Sequence, residues 1–242
     1  MYAAITRAFT PICYHGRVTL LNVKAIAYLS FTAALMGVAL FVPARTIDYW
    51  QAWLYLAVFG ILSLAITMYL IARDPQLLER RVHGGPAAET SSGQRLAMSL
   101  ASAGFIAILV VSARDHHFGW SFVPTVGVIG GDVLIVIGYA IIFFVFRANT
   151  FASSTIEIAA DQHVVSTGPY AVVRHPMYAG AALYLIGMPL ALGSWWGLLG
   201  LVLLVPAFVW RMFDEERLLA KSLPGYVEYR NTVKYRLIPG VW

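Results

Sequence analysis

Five long runs of apolar residues, almost empty of charge, constrain this chain more than any other feature. Four of them, Ala25–Val42, Gln51–Ala72, Leu96–Ala113 and Thr125–Phe146, are each about one bilayer long. A hydrocarbon core of about 30 Å is crossed by about twenty helical residues, so each run predicts a membrane-spanning helix. The fifth run, Met177 to Trp210, is different. Its 34 residues would make one helix of about 51 Å, far longer than a single crossing needs. Pro189 and Gly193-Ser194 stand near its middle, where a helix breaks or turns. A helical hairpin breaking near Leu192–Trp195 is therefore expected. The fold class that follows is all-α, a multi-span integral membrane helical bundle ending in a C-terminal hairpin.

Composition excludes the soluble alternative. The chain is 60% apolar and 12% charged, whereas soluble domains carry about 25% charged residues. Its net charge of +5 is not a nucleic-acid signature, because no basic surface interleaved with aromatics accompanies it. The positions of the basic residues carry the information instead. With the N-terminus inside, Arg7, Arg17, Lys24, Arg73, Arg80, Arg81, Arg95, Arg147, Arg174 and the C-terminal set share one side. Only Arg45 and Arg114 fall on the other. This bias predicts six crossings with both termini cytoplasmic, in the inner membrane of a prokaryote or the endoplasmic reticulum of a eukaryote. Trp50, Trp53, Trp120, Trp195 and Trp196 then fall at outer span ends, as interfacial aromatics do.

Other features complete the outline. About two dozen mixed residues precede the first apolar run, which is not the pattern of a cleaved signal peptide. The single cysteine, Cys13, excludes an intrachain disulfide framework and supplies no zinc-ligand cluster, so no metal is expected. Gly84–Gly93 reads as a flexible small-residue loop, and His116-His117 as solvated residues of an outer loop. Asp132 follows Gly130-Gly131 and reads as an N-terminal helix carboxylate near the outer interface. Gly193 and Gly197 have the small-residue spacing that allows close helix packing, within one chain or between two.

Chemistry concentrates after Arg147. The first four spans hold almost no ionisable groups, so residues 1–148 read as scaffold and residues 149–242 as the functional region. Two polar cytoplasmic segments, Asn149 to Tyr178 and Arg211 to Trp242, flank the hairpin. Because a hairpin returns the chain to the side it left, the two segments must meet. His175-Pro176 opens a helix whose free N–H groups suit an anion. Arg211 and Glu215 are four apart on one helical face; the first offers a planar fork for a carboxylate or phosphate, the second an acceptor for an ammonium or ribose hydroxyls. Tyr170 and Tyr178 offer flat faces to a purine or a sulfonium cation. Taken singly, each has a plainer reading: an interfacial ion pair, a capping histidine, interfacial tyrosines. Their convergence around a hairpin is the signal.

At these residues the sequence resembles the isoprenylcysteine carboxyl methyltransferases, within the wider group that includes phospholipid N-methyltransferases. The matching elements are Gly168-Pro169-Tyr170, Arg174-His175-Pro176-x-Tyr178-x-Gly180, Glu215-Glu216 with Leu219, Tyr226-x-x-Tyr229 and Arg236-x-Ile238-Pro239. Leu223-Pro224-Gly225-Tyr226 stands where that family has a Phe-Gly pair before the first late tyrosine. The resemblance implies a membrane enzyme that uses S-adenosylmethionine, held between the hairpin and the cytoplasmic C-terminal segments. By position, Gln162, His163, Val164, Val165, Tyr170, His175, Pro176, Met177, Tyr178 and Glu215 resemble the cofactor-binding residues. Arg211 resembles the substrate-binding arginine, which with Glu215 makes the expected catalytic pair. The expected acceptor is a lipidic or small carboxylate or thiol of the isoprenylcysteine type. A phospholipid amine is the alternative within this chemistry. A nicotinamide-dependent membrane reductase of related architecture and a non-enzymatic scaffold are the alternatives outside it. The absence of a G-x-G-x-x-G fingerprint gives no support to a soluble dinucleotide-fold methyltransferase.

Overall fold

The apolar runs become helices in the computed structural model, which describes residues 11–89, 91–156 and 161–242, with side chains from residue 20 onward. Arg7 and the side chains of Cys13 and Arg17 lie outside the described residues. The helices are α1 Pro11–Ala44, α2 Trp50–Arg73, α3 Pro75–Val82, α4 Ser92–Phe118, α5 Thr125–Ala148, α6 Pro176–Ala191, α7 Leu201–Ser222 and α8 Tyr226–Thr232. There is no strand among the described residues. The protein is an all-α, multi-pass integral membrane protein, and five of its helices are long and apolar enough to cross a bilayer: α1, α2, α4, α5 and α7 with its lead-in.

The predicted break in the fifth run is present. α6 ends at Ala191, Leu192–Trp195 is irregular, and a short 3-10 turn over Trp196–Gly200 leads into α7. Gly193 has φ +73°, a conformation that a side chain makes costly, and the Ser194 N–H donates to the Pro189 carbonyl at 2.9 Å. The first arm is shorter than the other five. Its 16 residues rise about 24 Å, less than a core of about 30 Å. Pro176 fixes where it starts, and the turn at Gly193 fixes where it stops.

Glycines bring α5 and α6 backbone to backbone, in antiparallel register. A Cβ on Gly187 would stand 2.5 Å from the Gly131 carbonyl oxygen, and one on Gly180 would stand 2.7 Å from that of Gly138. Gly131 and Gly138 are seven apart, as are Gly180 and Gly187, so each pair lies on one helical stripe. This packing is the small-residue solution for helices in lipid. Gly104 and Gly200 make a second such approach between α4 and the lead-in to α7. Gly197 packs within the chain, on Ser112 and Pro189, whereas Gly193 serves the turn.

Two expectations about polar residues need correction. Asp132 is not at the start of its helix. α5 begins at Thr125, so Asp132 lies beyond the first turn, only 8% exposed, and neither carboxylate oxygen has a hydrogen-bond partner among the described residues. The preceding glycine pair does not break the helix; Gly131 is used for its contact with α6. His116 and His117 belong to the last turn of α4 rather than to a free loop. His116 stacks on Tyr49 at 3.9 Å, and His117 Nδ1 lies 3.0 Å from the Ala44 carbonyl.

Those residues belong to a fastening at one end of the bundle. Asp115 is buried, and its carboxylate accepts from the Ser121 N–H at 2.7 Å, the Ser121 hydroxyl at 2.5 Å and the Ser194 hydroxyl at 2.5 Å. Ser194 Oγ in turn accepts from the Gly197 N–H. The Tyr49 hydroxyl donates to the Leu192 carbonyl at 2.6 Å. This ties the hairpin turn to the α4–α5 link and to the start of α2. Trp50, Trp53, Trp120, Trp195 and Trp196 are all at this end and all exposed.

Candidate active site

The opposite end gathers the basic residues and holds a cavity of about 320 Å³. Its architecture begins with the Arg174-His175 segment. The N–H groups of Arg174 and His175 donate to the carbonyls of Tyr235 and Arg236, both at 2.9 Å. Arg174 adds Nη1 bonds to the carbonyls of Val233 and Lys234, both at 2.8 Å. Glu216 is the centre of this join. It accepts from Arg174 Nε at 2.7 Å and Arg236 Nε at 3.1 Å, and lies 3.2 Å from His175 Nε2. The C-terminal tail is thereby clamped to the entrance of α6. Of the Glu215-Glu216 pair, then, the second residue is a structural hub.

Glu215 points the other way, into the cavity. Its Oε2 accepts from the Tyr178 hydroxyl at 2.9 Å, and it has no ion-pair partner among the described residues. Tyr170 sits at the junction of two apolar clusters, one with Leu77, Val145 and Phe146, the other with Leu223, Tyr226 and Tyr229. Its hydroxyl accepts from Asn149 at 3.0 Å, and its carbonyl accepts from the Tyr229 hydroxyl at 2.8 Å. Burial pushes the Tyr170 phenol up to about 12; Glu215 acts in the same direction, the Asn149 hydrogen bond and Arg81 against it.

Every residue that the resemblance assigns to cofactor or substrate lines this one cavity: Gln162, His163, Val164, Val165, Tyr170, His175, Pro176, Met177, Tyr178, Arg211 and Glu215. The hairpin does bring its two flanking segments together. Arg211 and Glu215, however, make no ion pair with each other. Arg211 Nη1 is 2.6 Å from Glu89 Oε1 and 3.2 Å from Gln94 Oε1, and its Nη2 donates to the Ser154 carbonyl at 2.8 Å.

Glu89 belongs to the Gly84–Gly93 segment, which the sequence presents as a flexible loop. The structure corrects that expectation. Glu89 is only 3% exposed, its carbonyl accepts from Arg95 Nε at 2.9 Å, and a 3-10 turn at Pro86–Ala88 precedes it. Its partner lies far away in sequence, so composition alone could not reveal the ordering. Thr90, in the same segment, lies outside the described residues.

Arg81 also lines the cavity and also escaped the sequence reading. It sits at the end of α3, a helix whose start is legible in Asp74-Pro75: Asp74 caps the Leu77 N–H at 3.0 Å, and proline takes the first turn. Its guanidinium lies 4.8 Å from the centre of the Phe146 ring. Burial, and to a smaller degree Arg211, pushes it down to about 10, which leaves it charged at neutral pH.

Several features fit S-adenosylmethionine. The volume is at the lower end of small-molecule pockets. Glu215 offers an uncompensated negative charge to a cation. The buried hydroxyl of Tyr226, another lining residue, has no hydrogen-bond partner among the described residues, and buried polar atoms of that kind call for one. The first turn of α6 presents backbone N–H groups beyond Pro176.

A membrane helical bundle with a half-open cavity of this chemistry at one end suits a membrane-embedded transferase. Residues 126–224, from the start of α5 to just beyond α7, match the model of the phospholipid methyltransferase family. That match spans less than half of the chain, and the protein is an integral-membrane methyltransferase that uses S-adenosylmethionine. The nicotinamide-reductase and scaffold alternatives give way to it. The matched segment contains Tyr170, His175–Tyr178, Arg211 and Glu215; Arg81, Glu89, Tyr226 and Tyr229 lie outside it. No curated protein matches the chain.

Proposed function

We propose that the protein methylates the amine of a phospholipid head group at the cytoplasmic face of the membrane. The observation that carries this reading is the state of Arg211. Its Nη1 bonds Glu89 and Gln94, its Nη2 bonds the Ser154 carbonyl, and Glu89 neutralises its charge, so its pull on an acceptor carboxylate is weakened. The isoprenylcysteine-type acceptor expected from the sequence loses its main support at that point. Glu215, by contrast, brings to the cavity a negative charge with no ion-pair partner among the described residues, and that charge suits an ammonium.

S-adenosylmethionine supplies an activated methyl group on a sulfonium centre. Gln162–Val165, Tyr170, Tyr178 and Tyr226, which line the cavity, would hold it, and the N–H groups at the α6 amino end would suit its carboxylate. Tyr178 pins Glu215 Oε2, while Oε1 makes no hydrogen bond among the described residues and takes a proton from the acceptor ammonium, so that the nitrogen lone pair becomes nucleophilic. Arg211, neutralised by Glu89, holds the α3–α4 link against α7 and closes the cavity wall. The remaining task is alignment and exclusion of water.

The test uses purified protein, S-adenosylmethionine labelled in its methyl group, and three acceptors offered in parallel: phosphatidylethanolamine vesicles, an S-prenylated cysteine derivative and a small alkyl thiol. Label is expected in N-methylated phospholipid. Label confined to a methyl ester or a thioether would overturn the proposal.

A further inference from the structure

Three arginines line the cavity: Arg81, Arg174 and Arg211. Arg174 is paired with Glu216 and Arg211 with Glu89. Arg81 has no carboxylate partner among the described residues. Its protein contacts are long ones made by Nη1: the Ala152 carbonyl at 3.3 Å, the Ser153 carbonyl at 3.5 Å and Met177 Sδ at 3.6 Å. Nε and Nη2 have no acceptor among the described residues. A guanidinium set against an aromatic ring and left without a counter-charge is costly, and its planar fork matches a phosphate or carboxylate.

The position of Arg81 narrows its occupant. Arg81 stands on the wall made by α3 and α5, beside Phe146, Ala152 and Met177. Val164 and Tyr226, assigned above to the cofactor, pack together with Leu223 and Tyr229 in the cluster on the other side of Tyr170. With the α6 amino end assigned above to the cofactor's carboxylate, Arg81 is left for a second anion. Arg81 and Glu215 both act on the Tyr170 phenol. Two opposite charges in one cavity, neither with an ion-pair partner among the described residues, suit a head group in which two carbons separate phosphate from amine.

We propose that Arg81 is an oxyanion subsite of this cavity, and that its occupant is the phosphate diester of the acceptor lipid. The assignment rests on the phospholipid-amine reading given above. The other oxyanion that matches the fork is the carboxylate of the cofactor, and the experiment separates the two.

The full-length protein is purified in a sugar-headgroup detergent, free of phosphate. Binding of two probes is measured by calorimetry for the wild type, Arg81→Gln and Arg81→Lys. The first probe, short-chain phosphatidylcholine, carries the diester and is already fully methylated, so its binding is read without turnover. The second is S-adenosylhomocysteine. Arg81→Gln is expected to weaken the phosphodiester probe about 10- to 100-fold, with S-adenosylhomocysteine binding within about twofold of wild type, which also reports a folded cavity. Arg81→Lys should fall between the two, and it carries the test alone should Arg81→Gln fail to fold.

Weakened S-adenosylhomocysteine with an unchanged phosphodiester would assign Arg81 to the cofactor and overturn the proposal. No change in either probe, or no phosphodiester binding by the wild type, would overturn it too. Failure of the acceptor reading looks different: the wild type would bind the phosphodiester through Arg81 yet never methylate an amine lipid.

Discussion

Replacing Glu89 by alanine tests both the closure of the cavity and the reason for preferring an amine acceptor. Arg211 and Glu89 form a short ion pair, 2.6 Å, with side chains 11% and 2% exposed. Removing one partner of a buried pair costs about 3–5 kcal/mol, because the other charge is stranded. Arg211 keeps the Gln94 and Ser154 hydrogen bonds, which places the expected loss at the low end, about 3 kcal/mol. At about 2–4 °C per kcal/mol for a chain of this size, thermal unfolding in detergent should move down by about 6–12 °C. Glu89→Ala combined with Arg211→Met should recover much of that loss, since the stranded charge is gone. The same single variant exposes the Arg211 fork, so a prenylcysteine carboxylate that the wild type ignores should now inhibit methyl transfer. A shift below about 2 °C, or a double variant no more stable than Glu89→Ala, would refute the buried pair and the acceptor argument with it.

Three further outcomes follow from the packing and the cavity. Gly131→Ala places a Cβ against the α6 backbone and should sharply reduce the yield of monodisperse protein, whereas Gly130→Ala, with nothing within 4 Å among the described residues, should leave yield and melting temperature unchanged. Ser194→Ala removes one of three donors to Asp115 and should cost about 1–2 kcal/mol in thermal unfolding; Asp115→Ala strands the Ser121 and Ser194 donors together and should cost more. Tyr226→Phe removes a buried hydroxyl that has no hydrogen-bond partner among the described residues, so the melting temperature should hold. S-adenosylhomocysteine binding, measured by calorimetry, should weaken about 5- to 10-fold, the worth of one neutral hydrogen bond.

The membrane class and the hairpin were legible because they rest on local signals: unbroken apolar runs, and a proline and glycine where one run outgrows the bilayer. The cavity lining was legible for a related reason. A hairpin forces its flanks together, and the shape-fixing residues at His175-Pro176 and Glu215 lie on those flanks. What stayed hidden depends on partners distant in the chain. Glu89 looks like a loop carboxylate until α7 returns Arg211 beside it. Arg81 looks like one more positive residue at a span end until α3 turns it inward, although Asp74-Pro75 announces that helix. Gly131 and Gly138 read as weak points of α5 until Gly187 and Gly180 are seen opposite them.

The site is therefore held from two directions. At its own end, Glu216 ties the tail to the entrance of α6 through Arg174, His175 and Arg236. At the far end, Asp115 fastens the hairpin turn through Ser194. Tyr178 and Glu215 meet on the two arms of that hairpin, and α6 can slide against α5 only by driving a glycine contact into a larger neighbour. The 2.9 Å bond between Tyr178 and Glu215 thus depends on packing through the whole depth of the bundle. A perturbation at the Asp115 fastening should accordingly lower turnover by misplacing Glu215, even though no atom of the fastening lines the cavity.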